Sequence, residues 1–268
     1  MKRILRVEFS RAFKNKMFWL VAILAAISFT YGANRVISNQ DDALGGSLSI
    51  WHAILYQGSY GFFAALAAGL PYAASLLADR EHNFIAAALM RSRWRDYFAA
   101  KILANFCAGM VAVVVPAGIL MAICTFFFPG KEQLIPNISW GVSVIFSPGV
   151  VGPNNFITPS VFGYTLIGLA APALFGGLYA SFGMAVSLFV DNPFAAMGSP
   201  FVLYSLGYFV IFTSRNFNWF NSTEAALIVN DSLVLPVIQY LALAIFFTVC
   251  LLAFGKKERL LSRIEERI

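Results

Sequence analysis

The order of apolar and polar positions divides the chain into long uncharged runs separated by short charged segments. The first run spans 17–33, between Lys16 and Arg35. A second ends at Ala78, just before Asp79. The uncharged stretch leading to it begins at Ala43, too long for one span. Its early part (Gly45, Gly46, Ser47, Ser49, His52) is polar and glycine-rich, so the helix is expected to start near Gly58. Further runs cover 102–128, closed by Pro129 and Gly130, then 161–190 before Asp191, 195–212, and 235–254 before Gly255 and Lys256. A bilayer core takes about 20 apolar residues per helix. The pattern therefore predicts an all-α integral membrane protein with six transmembrane helices in a single domain, 1–268. Its outer loops are 129–160 and 213–234, and 79–101 is a cytoplasmic segment.

The polar segment before the first run is itself patterned. As a helix, Leu5, Phe9, Ala12 and Phe13 share one face, with Arg3, Arg11 and Lys14 opposite. That arrangement predicts an interfacial amphipathic helix over 1–16, its cations facing anionic headgroups of the lipid bilayer. The basic stretch followed by an apolar run resembles a secretion signal in outline. It is long, patterned and followed by no Ala-x-Ala site, so it is read as retained.

Composition agrees. Of 268 residues, 59% are hydrophobic and 12% charged, about half the charged share of an ordinary soluble protein. Mean hydropathy is +0.74. These values exclude a soluble enzyme, a disordered chain and a disulfide scaffold. Cys107, Cys124 and Cys250 all lie in apolar runs without metal-like spacing. The net charge of +6 comes with no basic domain outside the apolar runs, so it is not read as a nucleic-acid signature. It follows the positive-inside rule instead. With both termini cytoplasmic, 16 of the 19 Lys and Arg fall inside and 3 outside (Arg35, Lys131, Arg215). A seventh span hidden in the uncharged stretch 133–190 would reduce that asymmetry to 12 against 7. Pro136, Pro148, Pro153 and Pro159 also interrupt its first half.

On these boundaries no Asp, Glu, Lys, Arg or His lies within a span, which argues against proton relays, ion pumps and intramembrane catalysis. Gly255-Lys256 is followed by Lys257, and Cys250 stands where a phosphate-binding loop needs its first glycine. The chain is accordingly expected to be no enzyme and to bind no cofactor or metal; any ATP would be hydrolysed by another subunit. Pro71, Pro116, Pro172, Pro200 and Pro236 fall within spans, as hinges or as ordinary membrane-helix prolines. Gly176, Gly177, Ala180 and Gly183 form a small-residue face for close helix packing.

The segment Asp79–Lys101 is long for a connector, with helix formers in its middle and charges at both ends. Its Glu81, Leu89, Ser92-Arg93, Tyr97 and Lys101 resemble a pattern of the permease subunits of type-2 ABC exporters. The amphipathic N-terminal helix resembles that family's elbow helix. Asn83-Phe84 departs from the Gly-Thr often found there. The architectural likeness covers nearly the whole chain; the sequence likeness is confined to the connector.

The resemblance implies a multi-pass permease of a bacterial or archaeal plasma membrane. It would be paired with a second copy or a sister permease and driven by two copies of a separate ABC ATPase that carries ATP and magnesium. Asp79–Lys101 would be the coupling helix, with Glu81, Leu89, Arg91, Ser92, Arg93, Arg95, Tyr97 and Lys101 as ATPase-coupling residues. A pathway lined by Phe, Ala, Gly, Ser and Tyr suits a hydrophobic or amphipathic cargo, such as an antimicrobial peptide, a drug or a lipid-like molecule. Two alternatives remain. One is a passive aquaporin-like channel, for which Asn192-Pro193-Phe194 is a lone imperfect motif without an internal repeat. The other is the substrate-binding membrane subunit of a vitamin importer.

Overall fold

The computed structural model describes residues 2–38, 47–82, 84–85, 88, 93–128, 161–213, 241 and 244–245. Among them every regular element is a helix: α1 (Lys2–Phe13), α2 (Met17–Ser38), α3 (Ser47–Gln57), α4 (Tyr60–Gly69), α5 (Ser75–Glu81), α6 (Trp94–Phe127), α7 (Val161–Val186) and α8 (Pro193–Thr213). The all-α expectation holds. By length and composition, two helices among the described residues can cross a membrane, α2 and α6, against the six expected. Tyr60–Gly69 and the stretch Pro172–Val186 within α7 are apolar but shorter. The expected span 235–254 lies almost entirely outside the described residues, as do both expected outer loops apart from Thr213.

The second expected span is broken, and it is preceded by helix rather than by a polar linker. Pro71 cannot donate to the helical ladder, so the chain turns between Gly69 and Ser75. The carbonyl of Pro71 is taken by the side-chain amide of Asn15, 2.5 Å away, whose oxygen also accepts the Met17 amide at 3.1 Å. Upstream, Ser47–Gln57 is helical because its apolar positions outweigh its Ser and His. Trp51 and Leu55 are both fully buried. The chain then bends at Gly58–Ser59, where Ser59 has φ 51°. Gly58 is required there, since a Cβ would press on the carbonyls of Ser28 and Ile54, and the Ser28 hydroxyl donates to the Gly58 carbonyl at 2.9 Å.

The long helix α6 is the central post, packed against α1, α3, α4 and α7. Its 34 residues span about 51 Å, well beyond a hydrocarbon core of about 30 Å. Pro116 lies inside it, and the carbonyls on either side are capped by buried donors. Trp51 Nε1 donates to Ala117 at 3.0 Å and Tyr60 Oη to Val113 at 2.7 Å. Pro116 lacks the N–H that would meet the Ala112 carbonyl, and the two donors bind carbonyls that flank that break. The small-residue face of α7 is internal packing. A Cβ on Gly176 would strike the Gly109 backbone, and one on Gly177 the ring of Phe106 at 2.6 Å. Toward α3, α4 and α8 the core is aromatic, with Phe62, Phe175, Tyr179 and Tyr204 meeting at 4.2–6.3 Å between ring centres.

Candidate functional site

At the end of the bundle where α1, α5 and the start of α6 meet, four charged side chains converge. They are Glu8 and Arg11 of α1, Asp79 of α5 and Lys101 of α6. Glu8, Asp79 and Lys101 are buried, while Arg11 is 36% exposed. Their charges cancel, and each carboxylate touches both cations. Arg11 holds Asp79 with both guanidinium nitrogens, at 2.5 and 3.3 Å, and reaches Glu8 at 3.3 Å. The Lys101 ammonium donates to Asp79 and lies 3.6 Å from Glu8. Two phenols complete the shell. Tyr72 donates to Glu8, and Tyr97 to Asp79 at 2.5 Å. Lys101 also sits 5.5 Å from the ring centres of both tyrosines, an added cation–π attraction.

Local structure explains the convergence. Residues 97, 101 and 105 of α6 recur at helical spacing, so Tyr97 and Lys101 share an inward stripe. Glu8 belongs to the apolar stripe of α1, three residues after Leu5 and four before Ala12, and Ala12 packs with Tyr72, Ala104 and Ala108. The break at Pro71 lets α5 start afresh and bring Asp79 under α1. Burial raises the Asp79 carboxyl. The hydrogen bond from Arg11, the charge of Lys101 and the donors Lys101 and Tyr97 overcome that and hold it below its ordinary 3.8. Burial likewise opposes the Arg11 cation, but Asp79, with smaller help from Tyr72 and Glu8, raises it above its ordinary value.

Arg11 was expected opposite the apolar face of α1, facing anionic lipid headgroups. It turns instead toward Asp79, because a buried carboxylate there needs a counter-charge. Arg3 and Lys14 are exposed as expected, Leu5 and Phe9 are half-buried, and Phe13 is exposed and stacked on Phe18 at 6.0 Å. Of the connector residues, Glu81, Arg93 and Arg95 are exposed, whereas Tyr97 and Lys101 are buried in the charge cluster. Leu89, Arg91 and Ser92 lie outside the described residues. The expected span boundary at 102 put Lys101 outside the helix proper; it lies about two turns inside α6. Glu8 and Tyr72 were missed. The available signal was a lone acid on the apolar face of a basic helix.

Two further contacts extend the cluster. The Arg11 guanidinium lies 4.8 Å over the ring of Phe84, an exposed connector residue. Arg80, next to Asp79, pairs with Asp191 at 2.6 Å and donates to the Ser187 carbonyl at 3.3 Å, tying α5 to the turn between α7 and α8. In that turn Asn192 accepts the Phe194 amide at 2.9 Å and Pro193 opens α8. Asn192-Pro193-Phe194 is thus the N-terminal cap of α8. No family model matches the chain, and neither a curated protein nor a solved structure matches it.

Proposed function

We propose that the chain is the membrane-spanning permease subunit of an ATP-driven exporter of the type-2 ABC class. It forms the pathway with a second copy or a sister permease and is driven by separate ATPase subunits docked on its 79–101 connector. The observation that carries this reading is the joining, at one end of the bundle, of three chain segments that the charge rule assigns to the cytoplasm. Arg11–Asp79 and Lys101–Asp79 tie the N-terminal helix to both flanks of the connector, and Arg80–Asp191 ties the connector to the turn between α7 and α8.

Lys101 and Asp191 lie at one end of the bundle, as do Arg11 and Asp79, which supports the six-span reading over one with a seventh span in 133–190. Of the described connector residues, Glu81, Phe84, Arg93 and Arg95 are exposed, which supports contact with a soluble partner.

The test is to tag the chain in its host, extract it in mild detergent and identify what co-purifies by mass spectrometry. A stoichiometric soluble protein with a phosphate-binding loop is expected. Recovery of the chain alone as a stable oligomer overturns the reading.

A further inference from the structure

We propose that Glu8 is a positioning residue for coupling. With Arg11 it clamps the N-terminal helix to Asp79 and Lys101, so that a partner pressing on the exposed connector face moves α1 and the foot of α6 as one body. This rests on the docking reading of the connector given above.

Three observations carry it. First, the cluster is closed: both carboxylates contact both cations and each receives a phenol donor, so no element can shift without exposing a buried charge. Second, the four charges come from three elements far apart in sequence, Arg11 and Asp79 being 68 residues apart. They therefore do not stabilise one helix; they fix the relation among helices. Third, the cluster has one outlet. Arg11 is its only exposed member, and its outer side lies against Phe84, itself 38% exposed on the connector. A partner covering Phe84 and Arg11 removes water from the Arg11–Asp79 pair and strengthens it. Docking thus tightens the clamp. Glu8 supplies the second anchor on α1, contacting both Lys101 and Arg11.

The experiment has two arms. In the first, the full chain is placed in lipid nanodiscs without any partner, with Cys107, Cys124 and Cys250 replaced by alanine. Spin labels at Ser10→Cys and Ala99→Cys, both exposed positions on α1 and α6, report their separation. One narrow distance is expected. Glu8→Gln and the milder Tyr72→Phe should broaden it, and Glu8→Asp, which keeps the charge, should broaden it least. Unchanged distributions in Glu8→Gln and Tyr72→Phe overturn the clamp whatever the partner turns out to be.

In the second arm, the co-purifying ATPase is titrated against unlabelled wild-type and Glu8→Gln chains. Binding within about two-fold of wild type, with stimulation of hydrolysis reduced about ten-fold or more, is expected. Stimulation retained by a variant whose clamp has opened overturns the transmission role. Failure of any ATPase to bind the wild type overturns the docking reading and the transmission role with it, while the first arm still decides the clamp.

Discussion

Two halves of one stripe on α6 are held in opposite ways. At its foot, Tyr97 and Lys101 face inward and meet Glu8, Tyr72 and Asp79, so contact depends on charges placed against each other. Further along the same buried stripe come Ala108 and Ala112, with Gly109 beside them, and contact depends on the absence of side chains. The foot is directional: each carboxylate fixes the position of its donors within a few tenths of an ångström. The middle is permissive, since small residues let backbones approach without specifying a register as tightly. A helix anchored at one end and smooth along its length is suited to pivot about its foot. That property would serve the permease role proposed above.

The largest effect expected from breaking the foot comes from Lys101→Met. It leaves Glu8 and Asp79 buried with one half-exposed cation between them. Removing one partner of a buried ion pair costs about 3–5 kcal/mol. Thermal unfolding in detergent should show a loss of that order, and Arg11→Gln a smaller one, because water reaches Arg11. A loss under about 1 kcal/mol for Lys101→Met would mean that the carboxylates tolerate isolation, and the clamp would not be electrostatic.

Protons can break the same contact without mutation. The Asp79 carboxylate is held below its ordinary 3.8 by Arg11 and Lys101 against the upward push of burial. Its contribution is therefore complete above the unfolded-state value and is lost as the pH falls through the lowered folded value. The Ser10–Ala99 label distance should stay narrow through pH 5 and 4, where exposed carboxylates begin to titrate, and broaden only below about 3.8. Broadening already at pH 5 would show that Asp79 is not the group that titrates, or is not paired.

The middle is broken by adding one methyl group. A Cβ on Gly109 strikes the Gly176 carbonyl and the Ala180 methyl, so α6 and α7 must move apart. Overpacking of this kind costs about 1–3 kcal/mol. Gly118, on the same helix, has nothing within 4 Å of the added carbon. Gly118→Ala should be neutral or stabilise by up to about 1 kcal/mol, since alanine is the better helix former. Equal effects from the two substitutions, read by thermal unfolding, would remove the claim that α6 and α7 meet through Gly109.

Much of this was legible in the residues, but unevenly. The apolar runs gave the positions of α2, α6, α7 and α8 within a few residues, apart from the foot of α6, because charge and proline mark helix ends in any surrounding. The small-residue face of α7 was visible for the same local reason. The charge cluster was not, because it is made by residues that look like topology markers when taken one at a time. Lys101 read as the last cation before a span and Asp79 as the stop after one. Glu8 disappeared into a segment with six cations. Only their three-way meeting distinguishes them, and no periodicity within a segment encodes a contact between segments. The helix over Ser47–Gln57 was missed for another reason. Its Ser and His are outvoted by burial of Trp51 and Leu55 against α6 and α2, a tertiary override of local polarity.

The smallest effect separates geometric from energetic importance. Arg80 and Asp191 lie 2.6 Å apart, but Asp191 is 42% exposed, and water screens the pair. A double-mutant cycle with Arg80→Ala and Asp191→Asn should give a coupling of about 0–1 kcal/mol, weakening as salt is raised. A coupling above about 2 kcal/mol would place this pair with the buried cluster and extend the rigid foot to α7 and α8. A weak result leaves that turn free to follow its own helices. The rigid foot would then be α1, α5 and α6, with α7 joined to α6 through the close approach at Gly109 and Gly176.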